Sequence, residues 1–280
     1  MELLIGSVAY DPKVVTIWDG FRAYLRGQGI GIDYILYSNY ERQVEDLVAG
    51  RIDLAWNSPL AWVRSVRLAK AHGVEVIPVF MRDSDRDLRS AVVTLGGNGI
   101  ESLADLRGKR VGVGAIDSPQ STLIPLSYLR QHLGEDFEVV RYDVGVGLHG
   151  DHVGGERDAV LGLRAGDVDA ACVLDANLLL FSQEGTAPAG TLRVLGHTEP
   201  YDHCVMAAGP SAGRAPVQEL VEAFLAMSYA DPAVRRLLDL EGLKAWLPGR
   251  VEGFAQLERA VDETGFYSAE GTVDVADYRP

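Results

Sequence analysis

Short apolar runs alternate with longer segments of helical period along most of this chain. Leu3 to Val8 is a mainly apolar run of buried-strand length. Val14, Trp18, Phe21 and Leu25 then recur at helical spacing, behind Asp11 as the expected N-cap and Pro12 at the first helical position. Gly27, Gly29 and Gly31 end that helix, and Ile32 to Tyr37 reads as a second strand. Ser38-Asn39-Tyr40-Glu41 has capping-box spacing and predicts a helix through Val44, Leu47 and Val48, stopped by Gly50. A third strand, Ile52 to Trp56, ends in Asn57-Ser58-Pro59, where another helix begins, and Val74 to Phe80 is a fourth strand. Repeated strand–helix–strand units with short connections predict a mostly parallel sheet covered on both faces.

The run Arg82-Asp83-Ser84-Asp85-Arg86-Asp87 interrupts this rhythm and reads as a solvated linker. A second set of units follows, with strands at 89–95, 110–114, 137–142, 170–174 and 192–195. Asp175 is the expected cap of a helix after the fourth of these. Glu199 to His203 reads as a second crossing into the apolar run Cys204 to Ala208, and the chain from Pro216 onward reads as mainly helical. A loose internal echo joins the halves. Gly50-Arg51-Ile52-Asp53-Leu54-Ala55 is matched by Gly166-Asp167-Val168-Asp169-Ala170-Ala171, a helix stop followed by a strand with an early Asp. The expected fold class is therefore α/β, with two similar lobes, mixed but mostly parallel sheets, and a two-stranded hinge. Lobe one is residues 1–85 plus 205–280, lobe two is 88–198, and the crossings lie near 82–90 and 198–204.

Composition narrows the function. The 280 residues are 47% hydrophobic and 24% charged, as in ordinary globular proteins, and the formal charge is -14. With no basic stripe, nucleic acid is excluded as a partner. No apolar run reaches the roughly 20 residues of a membrane span. Cys172 lies in an apolar run and reads as a buried small hydrophobe, so the two cysteines suggest no disulfide framework. The chain opens directly on a strand, which reads as cytoplasmic; an exported form would be periplasmic or extracellular. A monomer is expected.

In open α/β sheets, ligands bind beyond the carboxyl ends of the strands. Here those ends carry Tyr10, Asn39 and Tyr40, Asn57 and Ser58, the stretch Asp117-Ser118-Pro119-Gln120-Ser121-Thr122, His149 to His152, and Asp175. The 117–122 stretch follows a buried strand and opens an apolar helix. Its hydroxyls and the unpaired amides of a helix start suit an oxyanion. The candidate ligand contacts are Tyr10, Asn39, Tyr40, Asn57, Ser58, Ser118, Gln120, Ser121, Thr122, His149, His152, Asp175 and His203. His149, Asp151 and His152, with His203 and Cys204, are residue types found in zinc sites. Histidines spaced in a glycine loop are weak evidence for one, and no metal or other cofactor is assigned. No catalytic motif is present.

The runs at 50–61, 103–112, 117–122 and 166–170 together resemble the type 2 periplasmic-binding-protein superfamily. More narrowly, they are similar to the phosphate, phosphite and phosphonate substrate-binding proteins of ABC transporters, over roughly residues 3 to 265. The resemblance implies a solute-binding protein that closes on a small oxyanion or phosphonate-like ligand. Ser118, Ser121 and Thr122, with Gln120, would hold the oxygens. Tyr10 and the Asn57 turn would close from lobe one, and Asp175 would accept from a ligand amine or hydroxyl. The implied partners are a small anionic ligand and, for an exported chain, a transporter permease. Gly154-Gly155-Glu156 stands where such proteins usually carry a Ser-His pair. Two alternatives remain open: a cytoplasmic enzyme on the same fold, of the menaquinone- or thiamine-pathway kind, or a cytoplasmic ligand sensor.

Overall fold

The computed structural model describes residues 2–149 and 153–280. The first sheet is built from β1 (Leu3–Val8), β2 (Ile32–Tyr37), β3 (Leu54–Asn57) and β4 (Ile77–Arg82). Between them run α1 (Lys13–Gly27), α2 (Tyr40–Val48) and α3 (Pro59–Ala71). The chain then crosses to β5 (Ser90–Leu95) and builds β6 (Arg110–Val113), α4 (Ile124–Leu133), β7 (Glu138–Arg141), α5 (Val153–Ala165), β8 (Ala170–Leu174), α6 (Asn177–Gln183) and β9 (Leu192–His197). It returns through β10 (Val205–Ala208), α7 (Arg214–Leu225), α8 (Pro232–Glu241), β11 (Trp246–Pro248) and α9 (Ala255–Thr264).

The six-stranded sheet has the order β11-β4-β10-β3-β1-β2, and the five-stranded sheet β7-β6-β8-β5-β9. Each holds three neighbouring parallel strands, β2-β1-β3 and β7-β6-β8. Beside them runs an antiparallel strand that has just arrived from the other sheet, β10 in the first and β5 in the second. The sequence echo has a physical basis here. Asp53 N donates to Leu4 O at 2.8 Å, and Asp53 Oδ2 accepts from Leu4 N at 2.9 Å. Asp169 makes the same pair of bonds to Arg110, at 2.8 and 2.9 Å. In both lobes an early Asp aligns the start of the third strand with the first and satisfies an amide at the start of the first strand.

The crossings lie side by side, with Leu88 bridged to Tyr201. An apolar seam joins the halves: Leu60 and Val63 of α3 pack with Leu123 and Ile124 before and in α4, with Tyr201, and with Leu257 and Val261 of α9. Phe266, Tyr267 and Tyr278, from the segment after α9, complete it. This terminal strap is held by Arg64, whose Nε donates to Gly271 O, and by Arg67, which donates to Tyr267 O.

Several local expectations are corrected. The 82–87 run is not wholly solvated, because Asp85 is buried under a two-pronged bond from Arg82. The charge is tolerated there since its counter-ion is buried with it. The region beyond Pro216 includes the short strand β11, which pairs with β4 through Trp246 and Arg82. The cap of α2 is Asn39, accepting from Arg42 N at 3.0 Å, not Ser38. Glu41 turns inward instead of closing a capping box, since three buried donors await it there. Asp175 does not cap α6; the cap is Ala176.

Candidate functional site

Ser118 caps the turn that leads into α4, accepting from Ser121 N at 3.3 Å. Residues Pro119–Leu123 form one π-helical turn, in which Leu123 N reaches back to Ser118 O at 2.9 Å. Such wide turns recur at functional sites because they re-aim side chains. The Ser118 and Ser121 hydroxyls lie 2.7 Å apart, both fully buried. Thr122 is 3% exposed, and its Oγ1 has no hydrogen-bond partner among the described residues. Gly114 makes room for the pair, since a methyl group there would strike Ser121 Oγ. Gly155 brings the start of α5 against the end of β6 in the same way, with Gly114 Cα as a near neighbour. Two helix starts thus converge on one strand end, each directing the positive end of its backbone dipoles there.

Gln120 points along the same wall. Its Nε2 donates to Glu156 Oε1 at 3.2 Å, while Glu156 Oε2 accepts from Leu174 N at 2.8 Å and Asn177 Nδ2 at 2.9 Å. Burial raises the titration of Glu156, against hydrogen bonds from Asn177, Leu174 and Gln120 and the facing His203. His203 itself sits with its Nδ1 3.1 Å from Cys204 Sγ and 3.5 Å from Asp85 Oδ1. Asp85, His203 and Cys204 carry metal-binding atoms within 4.8 Å of one another. Arg82, however, occupies both Asp85 oxygens, at 2.5 and 2.9 Å, and already supplies the positive charge an ion would bring.

His149 lies elsewhere in the interface, facing lobe one. Its Nδ1 is 3.0 Å from Ser58 Oγ, and its Nε2 is 3.0 Å from Glu41 Oε1 and 2.7 Å from Tyr278 Oη. Tyr40 stacks on its ring, with centroids 5.0 Å apart and planes at 17°. A Ser-His-Glu relay has the residue types of a hydrolase, but Ser58 is fully buried and caps α3 by accepting from Ala61 N. A nucleophile must reach its substrate, and this hydroxyl is sealed.

The remaining candidates are dispersed. Asn57 is buried inside lobe one, donating to Ser65 Oγ and accepting from Gln43 Nε2. Asn39 serves α2, and Tyr10 packs against the first core with Lys13 over its ring. Asp175 is exposed and pairs with His197 at 3.1 Å. His152 and Asp151 lie outside the described residues. Glu41, Glu156, Asp85 and Tyr278 were not singled out from the sequence. A Glu in a first helical turn, or a Tyr near a terminus, carries no local signal of burial.

Two α/β lobes, each with a crossing strand, and a helix start at the carboxyl end of a central strand give the fold of the type 2 periplasmic binding proteins. The family described as "ABC transporter, phosphonate, periplasmic substrate-binding protein" matches residues 7–252, and the chain belongs to it. The Phosphate-import protein PhnD of Mycolicibacterium smegmatis is 23% identical over 224 residues, covering 78% of this chain and 66% of that relative's length. Among solved structures, PhnD1 of Prochlorococcus marinus in complex with methylphosphonate superposes with a TM-score of 0.67 at 18% identity, over 94% of this chain and 98% of its own. XAC2383 of Xanthomonas citri bound to ATP superposes with a TM-score of 0.69 at 16% identity, over the same shares. Family membership favours a solute-binding role over the enzyme alternative.

Proposed function

We propose that this chain is the solute-binding component of an ABC importer for a small phosphonate- or phosphate-like oxyanion. The observation that carries this is the buried start of α4, where the paired hydroxyls of Ser118 and Ser121 and the unpartnered Thr122 Oγ1 share one helix end. Hydroxyls at the positive end of a helix bind an oxyanion without a full cation, so an acidic protein can still hold an anion. Ser118, Ser121 and Thr122 hold the oxygens, and Gln120 is fixed by Glu156. The units 1–85 with 205–280 and 88–198 close about the crossings. The partner is the importer's permease, and the working compartment is periplasmic. The ligands bound in two structural neighbours, methylphosphonate and ATP, share phosphorus-bound oxygens, which supports the ligand class.

The test is a calorimetric and thermal-shift screen with phosphate, phosphite, methylphosphonate, a small sulfonate and ATP. A true ligand at a hundred times its Kd stabilises the fold by about 2.7 kcal/mol. A screen in which none of these anions stabilises the chain overturns the ligand class.

A further inference from the structure

His149 is fully buried, belongs to the second lobe, and spends its ring on the first lobe and the strap. Its backbone is left-handed, with φ 47°, a conformation that costs free energy for a side chain of this size and persists only when surroundings impose it. Asp117 Oδ2 imposes it, accepting from Gly147 N at 2.8 Å and His149 N at 3.2 Å. The groups facing the ring can be named element by element. From α2 come Tyr40 and Glu41. From α3 come Ser58 at its start and Arg64, whose guanidinium donates to Glu41 O at 2.7 Å and Glu45 Oε1 at 3.1 Å. Asp117 comes from the loop before α4, and Tyr267 and Tyr278 from the strap, with Tyr267 Oη 3.0 Å from Glu41 Oε1. Two buried carboxylates thus face one arginine and one histidine, so a charged imidazole balances the cluster.

We propose that the His149–Glu41 bond is a proton-operated latch between the lobes, secured by Tyr278 of the strap. With both ring nitrogens protonated, Nδ1–H donates to Ser58 Oγ and Nε2–H to Glu41 and Tyr278. Losing a proton removes one of those donors and the attraction to Glu41. The carboxylates are then buried without a balancing charge, and the lobes part to rehydrate them. Burial and the nearby Arg64 charge oppose the histidine charge. The charge of Glu41 and its hydrogen bond outweigh them and raise His149 above its ordinary 6.5. Glu41 is also pushed up by burial, but His149, Tyr278 and Tyr267 together hold it below the usual carboxylate range. The closed form therefore binds the histidine proton more tightly than an open, hydrated form. Closure is favoured at lower pH and lost as pH rises through the closed-state value, by about tenfold in the closing equilibrium per unit of difference.

The test uses the full chain without added anion, so it is independent of the anion-binding proposal. Small-angle scattering and hydrogen exchange of the amides of α2 and the strap are followed from about pH 5 to above about pH 8, with exchange corrected for its intrinsic pH dependence. The wild type is expected to be compact at the lower end, and at the upper end to show a larger radius of gyration and about tenfold more frequent opening per unit. His149→Gln should be open throughout and lose the pH dependence. Tyr278→Phe, which keeps the ring, should open at lower pH than the wild type. Unchanged dimensions and exchange in the wild type across the range overturn the latch, as does wild-type pH dependence in His149→Gln. If that variant fails to fold, a Tyr278→Phe profile identical to the wild type overturns it instead.

Discussion

Leu88 and Tyr201 exchange two backbone hydrogen bonds of 2.8 Å each, which stitch the outgoing crossing to the returning one. The stitch continues inward. Tyr201 Oη lies 2.8 Å from Ser90 Oγ, and Ser90 Oγ donates to the carbonyl of Gln120. A continuous line of hydrogen bonds therefore runs from the crossings to the turn that starts α4. Tyr201 is 1% exposed, and burial pushes its phenol far from ionisation, so the hydroxyl stays neutral and structural.

Removing that hydroxyl isolates one buried bond while keeping the ring in the apolar seam. Tyr201→Phe should lower stability by about 0.5–1.5 kcal/mol, the net value of a neutral hydrogen bond. Urea unfolding with an unchanged m-value would check this. A loss several times larger would mean that the ring itself had moved.

The hydroxyl pair makes a sharper prediction for binding. Ser121→Ala combined with Thr122→Ala should weaken oxyanion binding by about 1.5–3 kcal/mol for each lost bond to a charged group. Calorimetry with the best anion of the screen measures it. Unchanged affinity in the double variant would remove this turn from the site.

Gly114 tests the same wall through space instead of chemistry. In Gly114→Ala the added methyl meets Ser121 Oγ, with Ser118 Cβ a further near contact. Overpacking of this kind costs about 1–3 kcal/mol in stability. Because the displaced atoms are the proposed anion donors, affinity should fall as well. A variant with reduced stability but full affinity would show that the hydroxyls do not bind the ligand.

Asp85 predicts an acid dependence. Burial raises its titration, but the Arg82 charge and the bonds from His203 and Arg82 outweigh burial and bring it down to about 2, from 3.8. The folded value is depressed, so the contribution is fully present above the unfolded value and is lost as pH falls towards the folded one. Asp85→Asn leaves the Arg82 charge without its near partner and should cost about 3–5 kcal/mol at neutral pH. Its stability should then fall less steeply than the wild type's between about pH 4 and pH 2, as denaturant unfolding at stepped pH would show.

Much of the frame was legible because it rests on local patterns. The strands at 3–8, 32–37 and 170–174 are mainly apolar stretches of one element's length, and each appears with those bounds. The repeated Asp53 and Asp169 also carried real information, since each aligns two neighbouring strands by the same pair of bonds. β11 was not legible: it is three residues long, ends in Pro248 and exists only because β4 offers an edge. Asp85 was misread for a related reason. In the sequence it is one charge in a polar run, and only the fold places Arg82 over it and closes the interior around both.

The start of α4 was marked by residues that act through neighbours in sequence: a cap, a proline and hydroxyls within one turn. Glu41, His149 and Tyr278 act across separations of 108 and 129 residues from the histidine, and no window along the chain brings them together. By itself the sequence determined the alternation of strands and helices, the doubled lobe and the hydroxyl-rich start of α4, because periodicity and capping are short-range. Tertiary structure alone decided which buried charges face one another, because pairing of charges out of water depends on distances that only the folded chain sets.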